Sequence, residues 1–310
     1  MKTDCFSFIP QESVHIYIPT YNSETTLQNL ITSLKESANE CKVFITITIV
    51  DNASSDSTWD IILNLNRKGI IQSNYRHPSN MGIATFYHLF SIHNKRINQH
   101  GRFIPFIMCD SEDMVHLNFF SHYNSSSQTI EADLYIPRYC LYRINGTNES
   151  HSEIGTNSFY ENCVYLSPLA RAMAVLALPG AIGSTSAVWA TGIMSNKAFQ
   201  IMRNHTKKFT RNPGIPGSAW ENSLIANLLY KCSFQLTGGL YLRGCIDSKY
   251  IKFPGAYSQL ATVLYEMNCG GLEMLNTFTN YKLLHEDLLE KLSSIDLYRK
   301  ALRGMINEWT

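Results

Sequence analysis

The chain has 310 residues with 26 basic and 25 acidic side chains, a net charge of +1, so no general attraction to nucleic acid is expected. Hydrophobic residues make up 45% of it, and 17 glycines with 10 prolines are far too few for a disordered or fibrous chain. That length fits one large α/β domain with an extension, or two domains.

The first half alternates strand and helix signals. Val14–Ile18 (VHIYI) is a short apolar strand, ended by Pro19-Thr-Tyr-Asn22. Leu27, Leu30, Ile31 and Leu34 then repeat at helical spacing, with Thr25 and Gln28 placed to form a capping box. Val43–Val50 (VFITITIV) is β-branched and reads as a strand. A polar turn, Asp51 to Ser57, leads into a helix opened by Ser57-Thr-Trp-Asp60. Ile70–Tyr75 is a weaker strand, followed by the turn Asn80-Met-Gly82 and a helix face at Ile83, Phe86, Tyr87 and Phe90. Phe103–Cys109 reads as a buried strand, although Pro105 is poorly suited to its interior, and it ends at Asp110-Ser-Glu-Asp113.

The second half is less regular. Residues 124–162 read as loop, 168–178 as a helix and Val188-Trp-Ala190 as a short strand. A helix starts near Asn196, and a basic loop with Lys207, Lys208 and Arg211 spans His205 to Ser218. A further helix runs from Trp220 to Lys231. Leu283, Leu284, Leu288, Leu289 and Leu292 form an apolar stripe near the C-terminus, a candidate contact for a homodimer or for peripheral attachment to a membrane.

This order predicts a mostly parallel, Rossmann-like α/β sheet with helices on both faces, plus a C-terminal helical extension. The sheet domain is assigned to residues 1–255, in two halves at 14–114 and 115–255. The extension takes 256–310. Open α/β sheets bind ligands at the carboxyl ends of their strands. The polar clusters at 20–22, 51–52 and 110–113 therefore predict one shared cleft. In an extended segment Asp110 and Glu112 project to one side. Paired carboxylates suit Mg²⁺ or Mn²⁺, which is held by one or two of them plus substrate phosphates.

The eight cysteines include no CxxC pair, which argues against a zinc knuckle or a thioredoxin motif, and Cys41 and Cys109 are expected as buried thiols. The opening MKTDCFSFIP lacks the apolar stretch of a secretory signal, and no run of 18 apolar residues occurs. A cytoplasmic location is expected, with the inner face of the membrane as the variant. The signatures of P-loop enzymes, dinucleotide-binding dehydrogenases and α/β hydrolases are absent.

Taken in order, Pro19-Thr-Tyr-Asn22, Asp51-Asn-Ala-Ser-Ser-Asp56, Asn80-x-Gly82 and Asp110-Ser-Glu-Asp113 resemble the family 2 glycosyltransferases, whose fold is of the GT-A type. The resemblance is strong over residues 14–114 and weak over 180–235. It implies transfer of a sugar from a nucleotide sugar, expected to be UDP-linked, to a hydroxyl of a glycan or lipid-linked glycan. Inversion at the sugar is expected. The pathways implied by analogy are surface polysaccharide, lipopolysaccharide, capsule and glycoprotein glycans.

The donor is expected to meet Pro19, Thr20, Tyr21, Asn22, Asn52, Asn80, Gly82 and Ser111, with Tyr21 and Asp51 holding the base and Arg76 meeting the base or diphosphate. Asp110 and Glu112 are expected to hold Mn²⁺ or Mg²⁺, the family's second acidic ligand being Asp where this chain has Glu112 followed by Asp113. The resemblance also places the catalytic base in a Glu-Asp pair opening a later helix. Here that pair is Glu221-Asn222, which leaves Glu221 as the candidate base and a retaining reaction as the other option. Trp189 is a candidate stacking platform for an acceptor sugar. A non-catalytic nucleotide- or glycan-binding partner in a polysaccharide assembly complex is the alternative from another class. A nucleotidyltransferase is disfavoured, because Thr20-Tyr-Asn-Ser-Glu24 stands where a Gly-rich basic loop belongs.

Overall fold

The computed structural model describes residues 13–124, 132–144, 191–210 and 217–246, with short pieces at 151–152, 164–165, 167–168 and 171–172. Its elements are β1 (Ser13–Thr20), α1 (Leu27–Glu40), β2 (Phe44–Asp51), α2 (Thr58–Arg67), β3 (Ser73–Arg76), α3 (Ala84–His100), β4 (Phe106–Met108), β5 (Met114–Val115), β6 (Leu134–Ile144), β7 (His151–Ser152), β8 (Gly192–Ile193), α4 (Asn196–Phe209), α5 (Gly217–Lys231) and β9 (Phe234–Ile246). They build a nine-stranded sheet in the order β3-β2-β1-β4-β8-β6-β9-β5, with β7 paired to β6. The expected strand at 188–190, residues 211–216 of the expected basic loop and the extension at 256–310 lie outside the described residues.

The sheet is mixed rather than mostly parallel. β1 to β4 run parallel as expected. β8 pairs antiparallel with both β4 and β6, and β5 antiparallel with β9, while β6 and β9 are parallel. Alternation along the strands separates two cores. Val14, Ile16 and Ile18 of β1, with Ile47 and Ile49 of β2, pack against the α1 stripe of Leu27, Leu30, Ile31 and Leu34. Tyr17, Val50, Phe106 and Met108 face the other way, toward α3, α4 and α5, where Phe90, Phe199 and Trp220 fill the layer. Each such side chain contributes about 1.5–3 kcal/mol by leaving water.

Local expectations were modified in four places. Pro105 stands just before β4, so it breaks no ladder, and its carbonyl accepts from His15 N at 2.9 Å. The helix α1 has Thr26 at its N-cap without a side-chain bond, so the Thr25/Gln28 box does not form. The expected loop over 124–162 contains the 11-residue strand β6. Pro137 disguises it in sequence, and the register shift between Pro137 and Tyr139 is taken up by an extra residue in β9, between Thr237 and Leu240. The expected basic loop from His205 begins as helix instead: α4 continues to Phe209 and carries Lys207 and Lys208 in its last turn.

A polar layer lies beneath the apolar one. Arg96 of α3 donates to Ser73 Oγ at 2.6 Å, Thr48 Oγ1 at 3.0 Å and Tyr17 Oη at 3.3 Å, and also contacts the His15 ring. It thereby ties α3 to three adjacent strands. His93, wholly buried, meets Tyr17 Oη through Nδ1 at 3.0 Å. Burial, and then the Arg96 charge, depress the His93 pKa to about 3. The same two causes hold His15 well below the ordinary histidine range. His205 is likewise held near 3 by burial and then by Lys208.

These three rings stay neutral in the fold, whereas in the unfolded chain each takes a proton below about pH 6.5. Their stabilising contribution is whole above that pH and is lost as pH falls toward 3, by up to about 1.4 kcal/mol per unit per ring. Urea unfolding between pH 7 and 4.5 should show this loss. His93→Gln should reduce the slope by one ring's share, and an unchanged slope would contradict the assignment.

Candidate functional site

The carboxyl ends of β1, β2 and β4 and the start of α3 converge on a cavity of about 380 Å³. Of the residues expected from sequence, Pro19, Thr20, Tyr21, Asn22, Asn52, Gly82, Asp110, Ser111 and Glu112 line it. Ser23, Thr25, Thr26, Thr85 and Phe86 also line it, and no motif pointed to them. Polar side chains in loops and first helical turns carry no sequence pattern of their own. Tyr21 is 50% exposed and offers its ring at the rim.

The loops are locked to each other. Asn22 N donates to Ser54 Oγ at 2.9 Å, Asn22 Oδ1 accepts from Ser55 N at 2.9 Å, and Ser23 N donates to Thr58 Oγ1 at 2.7 Å. Asn52 N donates to the Thr20 carbonyl at 2.8 Å. Asn22 and Ala53 both adopt left-handed backbone, at φ 49° and 64°. That conformation costs a residue with a Cβ free energy and persists where its surroundings over-determine it. Gly82 has φ 51°, a left-handed conformation that suits glycine at this turn, and it lines the cavity.

Three expected donor contacts, Asp51, Arg76 and Asn80, do not line the cavity. Asp51 has no exposure, and its carboxylate accepts from Ser54 Oγ at 2.5 Å and pairs with Arg76 Nε at 3.1 Å. Arg76 also donates to the Ser54 carbonyl at 2.9 Å and lies over the Trp59 ring. The pair therefore braces the wall from behind. Asn80 Oδ1 accepts from Asn52 Nδ2 and Gly82 N, both at 2.9 Å, while Asn52 Oδ1 accepts from Met81 N at 2.7 Å. Asn80 thus positions Asn52, which does reach the cavity.

The acidic cluster forms a turn rather than an extended segment, with Asp113 N donating to the Asp110 carbonyl at 3.1 Å. The turn sets Glu112 outward on the cavity wall beside Asp110, and buries Asp113 to 1% exposure. Burial, then Asp113 and Asp110, push the neighbouring Cys109 thiol far up, leaving it inert. No group of three or more His, Cys, Asp or Glu side chains gathers as a metal site among the described residues. Two carboxylates on one wall still fit Mg²⁺ or Mn²⁺ if substrate phosphates complete the shell.

Glu221 follows Trp220 in α5, and its side chain lies outside the described residues, as does Trp189. Trp220 itself is buried, donates to Thr206 Oγ1 at 3.1 Å, and packs on Phe86 of the cavity wall at 4.7 Å between ring centroids.

Residues 15–86, from β1 into the first turn of α3, match the family described as Glycosyl transferase family 2. This segment is a family 2 glycosyltransferase domain. No curated protein matches the chain. Among solved structures, S. aureus TarS is 12% identical, covering 77% of this chain and 38% of its own, with a TM-score of 0.45. Its 1–349 piece in complex with UDP-GlcNAc is 10% identical over 81% of this chain and 65% of that one, at 0.44. Glucosyl-3-phosphoglycerate synthase from Mycobacterium tuberculosis, in complex with Mn²⁺, UDP and phosphoglyceric acid, is 11% identical over 84% and 79%, at 0.40. This chain therefore spans less than two thirds of the TarS chains. No helix among the described residues is long and apolar enough to cross a membrane.

The glycosyltransferase domain's brace is open to direct measurement. Asp51→Ala should cost only about 1–2 kcal/mol, because Ser54 loses its acceptor while the half-exposed Arg76 turns to water. Arg76→Ala should cost about 3 kcal/mol, because it leaves the unexposed Asp51 carboxylate without its cation. Equal losses in denaturant unfolding would refute this division.

Proposed function

We propose that the chain is a metal-dependent glycosyltransferase of GT-A type that moves a sugar from a UDP-sugar to a hydroxyl of a glycan or lipid-linked glycan. The observation that carries this reading is the cavity where Thr20–Asn22, Asn52 and Gly82, inside the segment that matches the family, share one wall system with Asp110 and Glu112, which lie beyond it. The Tyr21 ring supplies a flat apolar face for the base. Asn52 and the loop hydroxyls offer neutral donors and acceptors suited to a ribose.

Asp110 and Glu112 would hold Mn²⁺ or Mg²⁺. When bound, the cation supplies Lewis-acid neutralisation of the departing diphosphate. The chain's residues do the remainder. The acceptor oxygen attacks the donor sugar's anomeric carbon, the bond from that carbon to the diphosphate oxygen breaks, and UDP leaves with the electron pair. Glu221 is assigned to take the acceptor's proton. Support comes from Trp220, whose packing on Phe86 anchors the first turn of α5 against the cavity wall. The outcome is inversion.

Thermal unfolding with UDP, GDP or CMP, each with and without Mn²⁺, tests the donor site. UDP with Mn²⁺ at about 100 times its Kd should stabilise the fold by roughly 2.7 kcal/mol. Glu112→Ala should abolish the metal-dependent part, and Glu221→Ala should preserve binding while lowering turnover by about 10²–10⁴-fold. A chain that no nucleotide stabilises would be a glycan-binding partner without transferase activity.

A further inference from the structure

We infer that the hydroxyl of Thr85 is a phosphate-binding group of this cavity, donating its hydrogen to a diphosphate oxygen of the nucleotide. The inference rests on the donor-site reading above.

Thr85 is the second residue of α3, is 1% exposed and lines the cavity. Its Oγ1 is buried and has no hydrogen-bond partner among the described residues. A helical threonine ordinarily turns its hydroxyl back to the carbonyl three or four positions earlier. Here that bond is not made, although the Gly82 and Met81 carbonyls, which accept from Thr85 N and Ala84 N at 3.0 Å, each keep a second lone pair. Leaving a buried hydroxyl unbonded is costly, and a valine of the same shape would avoid the cost. Such an exception in an otherwise well-bonded region points to a partner that comes from outside the protein.

The surroundings select an anion. The helix α3 runs for 17 residues, has Ile83 at its N-cap without a capping side chain, and has no acidic residue in its first turn. Its positive dipole end is therefore not balanced by a carboxylate of its own. The acidic pair Asp110 and Glu112 lines the same cavity and suits a cation. A diphosphate set between that cation and the start of α3 would be complemented from both sides, and Thr85 offers it a donor. A ribose hydroxyl could bond Thr85 too, but would draw nothing from the dipole.

The test uses the full chain with Mn²⁺ and compares UDP with uridine by calorimetry, in wild type, Thr85→Val and Thr85→Ser. The expected result is a loss of at least about tenfold in UDP affinity for Thr85→Val, matching one hydrogen bond to a charged group. Uridine affinity should change by less than about twofold, and Thr85→Ser should stay within about threefold of wild type for UDP. Without ligand, Thr85→Val should melt at or above the wild-type temperature. Unchanged UDP binding in Thr85→Val would overturn the inference, as would an equal loss for uridine, which would place the hydroxyl on the nucleoside. A lowered melting temperature of unliganded Thr85→Val would overturn it as well, by showing a partner inside the protein. Wild type that binds neither UDP nor uridine would instead overturn the donor-site reading beneath it.

Discussion

The carboxylate of Asp51 is taken wholly out of water at the end of β2, and a charge so placed must be met by donors from its own surroundings. Ser54 and Arg76 meet it. Ser54 Oγ then accepts from Asn22 N, so one buried charge sets the position of the β1 loop as well as the β2 loop. Backbone bonds carry the tie further, from the Asp51 carbonyl to His77 N and from the Thr20 carbonyl to Asn52 N. The rim of the cavity is thus arranged before any ligand arrives, which reduces the ordering cost that binding would otherwise carry.

A second cation organises the opposite face. Arg96 touches no carboxylate among the interactions described above; its partners are hydroxyls and an imidazole. Burial first, and then this charge held by neutral groups, keep His15 and His93 unprotonated. The result is a polar seam between β1, β2, β3 and α3 that specifies which strands lie side by side. An apolar seam would have tolerated a slip more readily.

Much of the first half was legible because its signals are local. The runs VHIYI and VFITITIV have the β-branched composition of buried parallel strands, and the polar residues after them mark strand ends. Those ends do meet at one cavity. The role of Asp51 was not legible. An acidic residue after a strand reads as a ligand contact, and only the fold shows Ser54 and Arg76 enclosing it. Likewise Asp110 to Asp113 is compatible with strand or turn in sequence, and the turn decides that Glu112 faces the cavity while Asp113 does not. Thr85 carries no motif; its significance lies in a bond that is missing, which sequence cannot display. The strand β6 was hidden by Pro137, and its partner β9, which carries the extra residue at the register shift there, lies far along the chain.

That distance bears on the order in which the molecule assembles. Asp133 is bonded to Ser233, 100 positions away, at the point where β6 and β9 begin their shared ladder. The links between β1, β2 and β3 span far shorter separations, as in the 25-residue step from Ile47 to Gln72. Closing the longer loop costs more chain entropy before any ladder bond offsets it. During synthesis the strands β1 to β3 can therefore organise while the partner of β6 is still being made. Pulse-labelled hydrogen exchange would register this as early protection of β1 to β3 and late protection of β6 with β9.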